Sequence, residues 1–290
     1  MIKFATDQTA PLVREMWKTC FGDSDKFLDI LSKYKYRNEN TLIYFDGDEA
    51  VASLQMFPYS ITFYNQLIPF AYLAGLCTLP EHRKKGYMAQ LIGKAHEIIA
   101  ERGILLSILI PAEDWLYGFY EKYGYTQVFE KDEELIPLKD ILDEFPDEEE
   151  AYRTFDLIFR YKDFCIQKTE DDFRAIVEDY KEDGYPPKSN LSGMACAINT
   201  WELLKLYAAE SLSKTFSIKV YDNFSDNNII YLVDKGEVDL ILKPETKPDI
   251  EIRESLLCRL LFGYKTNEVE NGKYSAWFEE HHPVMNLMLE

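Results

Sequence analysis

The chain has little that would tie it to a membrane, a metal or a disulfide framework. Among its 290 residues, no apolar run approaches the roughly 18 residues that a membrane span needs. The N-terminus lacks the basic stretch and apolar run of a secretory signal. Five cysteines are scattered without paired spacing, and four histidines (His82, His96, His281, His282) show no ligand spacing. We therefore expect a cytoplasmic protein without a membrane partner, a disulfide framework or a metal.

Basic residues are few relative to acidic ones. The chain has 32 lysines and arginines against 51 aspartates and glutamates, which gives a net charge of −19. Such a surface repels a phosphate backbone, so we do not expect nucleic acid as a partner. It is compatible with a cationic substrate, such as a polyamine, an aminoglycoside-like amine or a lysine side chain. An acidic surface that serves only solubility explains the same charge.

The chain is rich in residues that form hydrophobic cores, since 47% of its residues are hydrophobic and 14% are aromatic. Its length suffices for two domains with separate cores. We predict an α+β fold in three parts, with a mixed, mostly antiparallel sheet and flanking helices in residues 1–130. A helical connecting region should follow at 131–188, and a smaller α+β unit at 189–290.

Periodicity places the elements within these parts. The first part should hold helices at 7–20 and 27–36, and strands at 1–4, 41–45, 49–59, 60–69, 73–79 and 125–129. The connecting region shows two amphipathic helices and no evident strand. The last part should hold helices at 200–209 and 252–262, and strands at 193–199, 216–221, 229–234 and 238–242.

The most informative stretch follows the strand at 73–79. Pro80 ends that strand, and a basic turn, residues 83–86 (Arg-Lys-Lys-Gly), opens a helix with one apolar face. The first amides of a helix have no intrahelical partner and lie at the positive end of its dipole. Three cationic side chains join them, and Gly86 lets the backbone approach a ligand. The turn is therefore a candidate anion site.

The order of elements after this turn adds to its meaning. Gly103 ends the helix, residues 104–110 form an apolar strand, and a short aromatic helix ends at Gly124 within the sequence Tyr-Glu-Lys-Tyr-Gly-Tyr. Strand, Arg-x-x-Gly turn, long helix, strand and Tyr-x-x-x-Gly-Tyr helix together resemble the acetyl-CoA-binding core of the GNAT superfamily of N-acetyltransferases.

The resemblance implies roles for residues on both sides of the turn. In that superfamily the turn holds the pyrophosphate of coenzyme A, a role that falls here on Arg83, Lys84, Lys85, Gly86, Tyr87 and Met88. Met88 stands where glycine or alanine is usual in the superfamily. A bulky residue at this position is similar to the pattern of the Eis-like (enhanced intracellular survival) group. The pantetheine arm would pair with the backbone of Leu76, Cys77 and Thr78, whose amides could also stabilise the oxyanion.

The resemblance also implies a general acid and a base. Tyr120 matches the tyrosine that protonates the departing thiolate in many GNAT enzymes, and Tyr125 matches the Eis-like position for the same role. A phenol suits this step because it is protonated at neutral pH. The terminal carboxylate of Glu290 matches the Eis-like base, while Glu113, Asp114 or water are alternatives.

The last hundred residues resemble the sterol-carrier-protein-like domain that ends Eis-type enzymes, and such relatives tend to form homo-oligomers. The sequence therefore predicts an acetyl-CoA-dependent N-acetyltransferase that acts on a small-molecule or peptide amine by direct transfer in a ternary complex. The alternative is a non-catalytic protein on the same fold that binds an acyl-CoA or an apolar ligand.

Overall fold

The computed structural model describes residues 1–181, 183–221, 228–241 and 247–289, so Glu290 and position 242 lie outside it. The helices are α1 (Ala10–Phe21), α2 (Asp25–Tyr34), α3 (Tyr87–Glu101), α4 (Asp114–Tyr120), α5 (Leu138–Glu144), α6 (Glu148–Phe159), α7 (Glu170–Tyr180), α8 (Thr200–Glu210) and α9 (Glu254–Leu261). None of the helices described has the length and apolarity to cross a membrane.

The strands that the structure describes form three sheets. They are β1 (Ile2–Phe4), β2 (Thr41–Asp46), β3 (Glu49–Phe63), β4 (Gln66–Thr78), β5 (Leu106–Leu109), β6 (Thr126–Phe129), β7 (Leu135–Ile136), β8 (Cys165–Gln167), β9 (Lys188–Ser189), β10 (Gly193–Ala197), β11 (Thr215–Tyr221), β12 (Asn228–Asp234), β13 (Glu237–Leu240) and β14 (Ile250–Arg253). The large sheet has the order β1-β2-β3-β4-β5-β10-β6, with β8 also paired to β3. Its strands are antiparallel except for the β4–β5 pair, which confirms the predicted fold class.

The long hairpin β3–β4 differs from the prediction of three shorter strands. The expected break between Tyr59 and Ser60 is wrong, because β3 continues to Phe63 and every residue from Gln55 to Phe63 pairs with β4. The chain reverses instead at Tyr64 and Asn65, whose φ angles are 50° and 57°. A two-residue hairpin turn needs two left-handed residues, and asparagine adopts that conformation readily.

Helices cover both faces of the large sheet. On one face α3 contributes Leu91, Ile92 and Ile99 to a core that includes Leu54 and Leu73 of the central strands. On the other face, α1 and α2 contribute Trp17, Leu28 and Leu31 to a core with Phe57 and Tyr72. Successive side chains of a strand point to opposite faces, so the central strands are apolar on both.

Strand β10 was expected in the C-terminal unit. The strand predicted at 193–199 does form, but it lies between β5 and β6 of the large sheet and pairs antiparallel with both. The last segment of the chain is therefore tied to the first by backbone hydrogen bonds. The division at 130 and 188 stays a prediction.

The connecting region also contains strands, which is a correction to the prediction of helices alone. Strand β8 pairs with residues 60–62 of β3, beyond the part of β3 that β2 covers. Strands β7 and β9 form a separate two-stranded ladder. All three have only two or three residues, too few for a periodic pattern in the sequence.

The smaller sheet has the order β13-β12-β11-β14. Helices α8 and α9 contact its strands, as expected for an α+β unit. Strand β14, which pairs parallel with β11, occupies residues that the sequence assigned partly to the following helix. That helix begins two residues later than predicted, at Glu254.

Candidate active site

The basic turn before α3 is open to solvent. Residues 83–86 are all exposed, and no amide from Lys84 to Ala89 donates to an acceptor within the described part of the chain. The first intrahelical bond here is accepted by the Gly86 carbonyl from the Gln90 amide, at 3.3 Å. The helix dipole adds positive potential at this point, so the turn offers a run of unpaired donors to an anion.

Two residues of the turn adopt left-handed backbone. The φ angles of Lys84 and Gly86 are 66° and 80°. A Cβ added at Gly86 would meet no atom within 4 Å, so the space above its backbone is free. Glycine is thus favoured by the conformation and leaves the amides accessible.

Arg83 links the turn to the end of β4. Its Nε donates to the Thr78 carbonyl at 3.1 Å. Lys85 lies close to His82, with Nζ 3.4 Å from Nδ1. Arg83 therefore also has a structural contact, while the Lys84 side chain has no ion-pair partner among the described residues.

The first residues of α3 are fixed by contacts to the sheet. The Tyr87 ring stacks on Tyr44 with centroids 4.4 Å apart, and its hydroxyl donates to Asp46 at 2.6 Å. That hydrogen bond raises the pKa of Tyr87 to about 12. Met88 is half-buried and packs against the core beneath α3. The start of α3 is therefore held against the sheet by Tyr87, and the side chain of Met88 fits into the core beneath the helix.

Strands β4 and β5 part beside the turn. Their parallel pairing covers only residues 70–72 of β4, although β4 runs on to Thr78. Residues 73–78 therefore have an edge without a strand partner on that side within the described chain. The edge includes the half-buried Leu76 and Thr78, and a register shift against β3 lies next to it. An extended ligand can pair with such an edge through its backbone groups.

Cys77 contributes backbone rather than a reactive thiol. Its side chain is 3% exposed and lies 3.2 Å from the Ser53 hydroxyl. A hydrogen bond to Cys20, and then burial, raise the pKa of the Cys77 thiol well above its usual value. The thiol is therefore protonated and not a nucleophile.

The two candidate tyrosines differ in what their hydroxyls contact. Their rings are 5.9 Å apart, and both belong to the core that also holds Leu76 and Met88. The Tyr125 hydroxyl lies 2.6 Å from the Ser107 Oγ and 3.0 Å from the His96 Nε2. The Tyr120 hydroxyl has no hydrogen-bond partner among the described residues. Tyr120 thus has a free donor.

Burial shifts the titration of this group. It raises the pKa of Tyr120 to about 12 and that of Tyr125 well above its usual value. It lowers the pKa of His96 to about 4, so this imidazole is neutral at pH 7. Both phenols therefore keep their protons throughout the physiological range.

The structure describes two of the three carboxylates that could act as the base. Glu113 and Asp114 are exposed at the start of α4, and Glu113 accepts a hydrogen bond from the Trp115 indole at 2.8 Å. Glu290 lies outside the described residues. The structure therefore places the turn, the β4 edge and both tyrosines around one core, and within the described part of the chain no carboxylate is hydrogen-bonded to either tyrosine.

Sequence reasoning missed a cavity on the opposite face of the sheet. A volume of about 360 Å³ lies between α1 and α2, over Gln55 of β3. Gln55 is 1% exposed, and neither atom of its amide has a hydrogen-bond partner. One signal was present: Gln55 is the largest polar residue in residues 51–57, a buried stretch that is apolar apart from Gln55 and Ser53. His96 and Ser107, the partners of Tyr125, carried no such signal.

Comparison with protein families identifies the N-terminal part. Residues 1–128 match the family model of the acetyltransferase (GNAT) domain. The chain contains a GNAT acetyltransferase domain. This domain includes the basic turn, the β4 edge and both tyrosines. A comparison with curated proteins gave no significant match.

Several solved structures share the fold along their whole length. A GCN5-related N-acetyltransferase from Anabaena variabilis has a TM-score of 0.66 at 14% identity and covers 98% of this chain and 99% of its own. A GCN5-related N-acetyltransferase from Kribbella flavida has a TM-score of 0.64 at 12% identity, and the match covers 99% of this chain and 99% of that one. Eis1 from Mycobacterium abscessus has a TM-score of 0.62 at 12% identity, and the match covers 100% of this chain and 99% of that one. At such identities the likeness shows a common fold and does not transfer residue roles.

Proposed function

We propose that the chain is an acetyl-CoA-dependent N-acetyltransferase that transfers the acetyl group directly to a primary amine in a ternary complex. The observation that carries this proposal is the run of unpaired amides at residues 84–89 beside the unpaired edge of β4. The turn would hold the diphosphate of coenzyme A. The edge would hold the pantetheine arm through Leu76, Cys77 and Thr78, with the cationic side chains of the turn adding attraction.

The reaction then needs three groups around the thioester. The neutral amine attacks the carbonyl carbon, and the oxygen of the tetrahedral intermediate is stabilised by amides of β4. Collapse of the intermediate breaks the C–S bond and leaves an amide and a thiolate. A tyrosine gives its proton to the thiolate, and the proton of the amine nitrogen passes to a carboxylate or to water.

Tyr120 is the better candidate for the acid. Its hydroxyl is free to donate, whereas the Tyr125 hydroxyl is already engaged with Ser107 and His96. We therefore assign the role of general acid to Tyr120. Tyr125, whose ring packs against Tyr120, is assigned a structural role beside it. For the base, Glu113, Asp114, Glu290 and water remain candidates. An amine of pKa near 10.4 is mostly protonated at neutral pH, so one of them has to take a proton before attack.

Wider features of the protein are proposed from its charge and its overall fold. The net charge of −19 favours a cationic acceptor, free or within a peptide. We propose an Eis-like architecture, because Eis1 shares the fold along the whole chain, with a sterol-carrier-like unit built on the smaller sheet. Assembly into homo-oligomers is proposed from the same resemblance.

A non-catalytic acyl-CoA-binding protein is the second candidate, because none of the carboxylates that the structure describes is hydrogen-bonded to Tyr120 or Tyr125. Titration calorimetry with acetyl-CoA, combined with detection of free thiol across a panel of amines, separates the two. The enzyme binds acetyl-CoA and releases thiol in proportion to at least one amine. A protein that binds acetyl-CoA but releases no thiol with any amine is the binder.

Substitution of the two tyrosines tests the assignment of the acid. We expect Tyr120→Phe to lower kcat by about 100-fold with little change in KM, since a positioned acid contributes at least that much. Tyr125→Phe should lower kcat only a few-fold, but it should cost about 1–2 kcal/mol of stability, because it removes the hydrogen bonds that join the Tyr125 hydroxyl to Ser107 and His96. Steady-state kinetics and urea unfolding measure both. The assignment is wrong if Tyr125→Phe loses more of kcat than Tyr120→Phe.

A further inference from the structure

The cavity over Gln55, defined by α1, α2 and the β3–β4 floor, has the build of a small-molecule site. Its volume of about 360 Å³ falls at the lower end of the roughly 300–1,000 Å³ of ligand pockets. Its walls are mainly apolar and include Val13, Trp17, Leu28 and Leu31. A compact apolar body fits these walls better than a long or polyhydroxylated one.

Gln55 gives the cavity a specific polar contact. Its side chain lines the cavity, is 1% exposed, and leaves both the amide nitrogen and the amide oxygen without a partner. Buried polar groups in proteins are nearly always hydrogen-bonded. A ligand with an N–H donor would satisfy the oxygen of this amide. The unpaired amide is therefore an observation that points to a ligand.

The cavity floor reaches the strand that carries the proposed thioester site. Gly75, in left-handed backbone with φ 57°, immediately precedes Leu76. A Cβ built on Gly75 would lie 2.2 Å from the Trp17 ring and 3.0 Å from the Gln55 Nε2. Trp17 and Gln55 thus rest directly on the backbone of β4, and only a glycine permits this contact. The cavity and the thioester edge share one strand.

The charges around the cavity favour a cation. Arg14, one of its lining residues, is neutralised by ion pairs to Asp25 and Asp29. Asp7, at the exposed side, accepts a hydrogen bond from the Asn38 amide at 2.7 Å and has no cationic partner among the described residues. An ammonium group approaching the cavity therefore meets an unneutralised carboxylate.

We propose that this cavity is the acceptor site and that it takes a primary monoamine with a compact apolar body, such as an arylalkylamine or a branched alkylamine. The nitrogen of the amine lies at Gln55, and the apolar body fills the space between α1 and α2. This inference rests on the proposed acetyl transfer, because it assigns the second substrate of that reaction.

Kinetics with matched amines test the substrate class. The probes are 2-phenylethylamine and 3-methylbutylamine, compared with spermidine and kanamycin, with acetyl-CoA saturating and free thiol as the readout. We expect kcat/KM for the two monoamines to exceed that for the others by at least about tenfold, since an unfilled apolar pocket and an unpaired amide each weaken binding. Acetyl transfer that prefers spermidine or kanamycin would overturn the inference and leave the proposed function intact.

Gln55→Leu tests the contact itself. It should lower kcat/KM for 2-phenylethylamine by at least about tenfold and leave the affinity for acetyl-CoA within about twofold. The melting temperature should not fall, because an unpaired buried amide is replaced by an apolar side chain. Gln66→Leu, the same change at an exposed position of β4, is the matched control and should alter neither value. An unchanged kcat/KM in Gln55→Leu overturns the inference.

A second variant covers the case in which Gln55→Leu fails to fold. Val13→Phe fills the cavity without removing the amide, so it should raise KM for 2-phenylethylamine far more than KM for methylamine. Calorimetry with 2-phenylethylamine in the presence of CoA separates the two proposals. Binding that depends on Gln55, without thiol release, contradicts the proposed function and supports the site, whereas no binding and no turnover of this amine overturns the site.

Discussion

Two groups of cationic side chains in this protein have opposite environments. Arg83, Lys84 and Lys85 lie on the exposed turn before α3, and no carboxylate pairs with them among the described residues. Lys35 and Lys168 are only 6% and 5% exposed. Lys35 joins the end of α2 to Asp172 of α7, and Lys168, which follows β8, joins that strand to Asn286 of the C-terminal segment.

The two buried lysines have partners within the protein. Together with these partners they form what we call the lysine cluster, which comprises Lys35, Lys168, Asp172, Tyr59 and Asn286. Lys35 forms an ion pair with Asp172, and its Nζ lies 3.4 Å from the centre of the Tyr59 ring. Lys168 donates to the Asn286 Oδ1 at 2.5 Å. Two lysines thus share one carboxylate, and burial lowers the pKa of Lys168 to about 7.

The difference shows how burial decides the use of a positive charge. A buried ammonium loses its hydration and has to be paired within the protein, so it holds elements together and has nothing left for a ligand. An exposed ammonium keeps its water and gains little from pairing within the fold, so it stays available for an anion. Changes at the turn should therefore alter ligand affinity and its dependence on salt. Changes at the lysine cluster should instead alter the pH dependence of stability.

The largest expected effect comes from closing the turn. Gly86→Asp places a carboxylate at the free amides and a side chain on left-handed backbone with φ 80°. Because like charges at such a site cost several kcal/mol, we expect the affinity for acetyl-CoA to fall by at least about 100-fold, measured by titration calorimetry. Gly22→Asp is the matched control, since Gly22 has φ 77°, open space and a position outside the site. Equal affinity in the two variants would show that the turn does not bind the diphosphate.

The lysine cluster should appear in the pH dependence of stability instead. With its pKa near 7 in the folded state and about 10.4 unfolded, Lys168 leaves the unfolded chain with more bound protons between these values. Stability contributed by this site therefore rises with pH, by at most about 1.4 kcal/mol per unit. Asp172 and Cys165 oppose the shift, and Lys35 adds to it.

Lys168→Met isolates that contribution. We expect the difference in unfolding free energy between wild type and Lys168→Met to grow by roughly 2 kcal/mol from pH 7 to pH 9 in favour of wild type. Urea unfolding at several pH values measures it. Lys84→Met, on the exposed turn, should give a flat difference over the same range. A flat difference for Lys168→Met as well would mean that this lysine is solvated in the folded protein.

The sequence predicted correctly that a turn at residues 83–86 precedes a helix, because the signals for it are local. A strand ended by Pro80, three basic residues and Gly86 directly before an apolar helix face need no distant partner to be read. Tyr120 and Tyr125 were singled out by the family resemblance of the short helix that follows, and their roles stay predictions. Their different hydrogen bonds could not be predicted, since those depend on Ser107 and His96 from two other elements.

Features that depend on distant pairing escaped the sequence. Strand β10 has the pattern of any buried strand, and nothing in it shows that it inserts between β5 and β6, about 70–90 residues earlier in the chain. The hairpin turn at Tyr64 and Asn65 lacked a glycine and was placed too early. The cavity over Gln55 needs three elements to exist, so no single segment could predict it.

The smallest expected effect concerns one cation of the turn. Lys84→Gln should weaken binding of acetyl-CoA only about three- to fivefold at low salt, since an exposed ion pair contributes roughly 0.2–1 kcal/mol. The loss should shrink as salt is raised, because the Debye length falls to about 3 Å at 1 M. Lys94→Gln, at a position of α3 away from the turn, should have no effect. A loss for Lys84→Gln that persists at high salt would place this lysine in a desolvated contact, and the contrast with the lysine cluster would then rest on the ligand that covers it rather than on exposure.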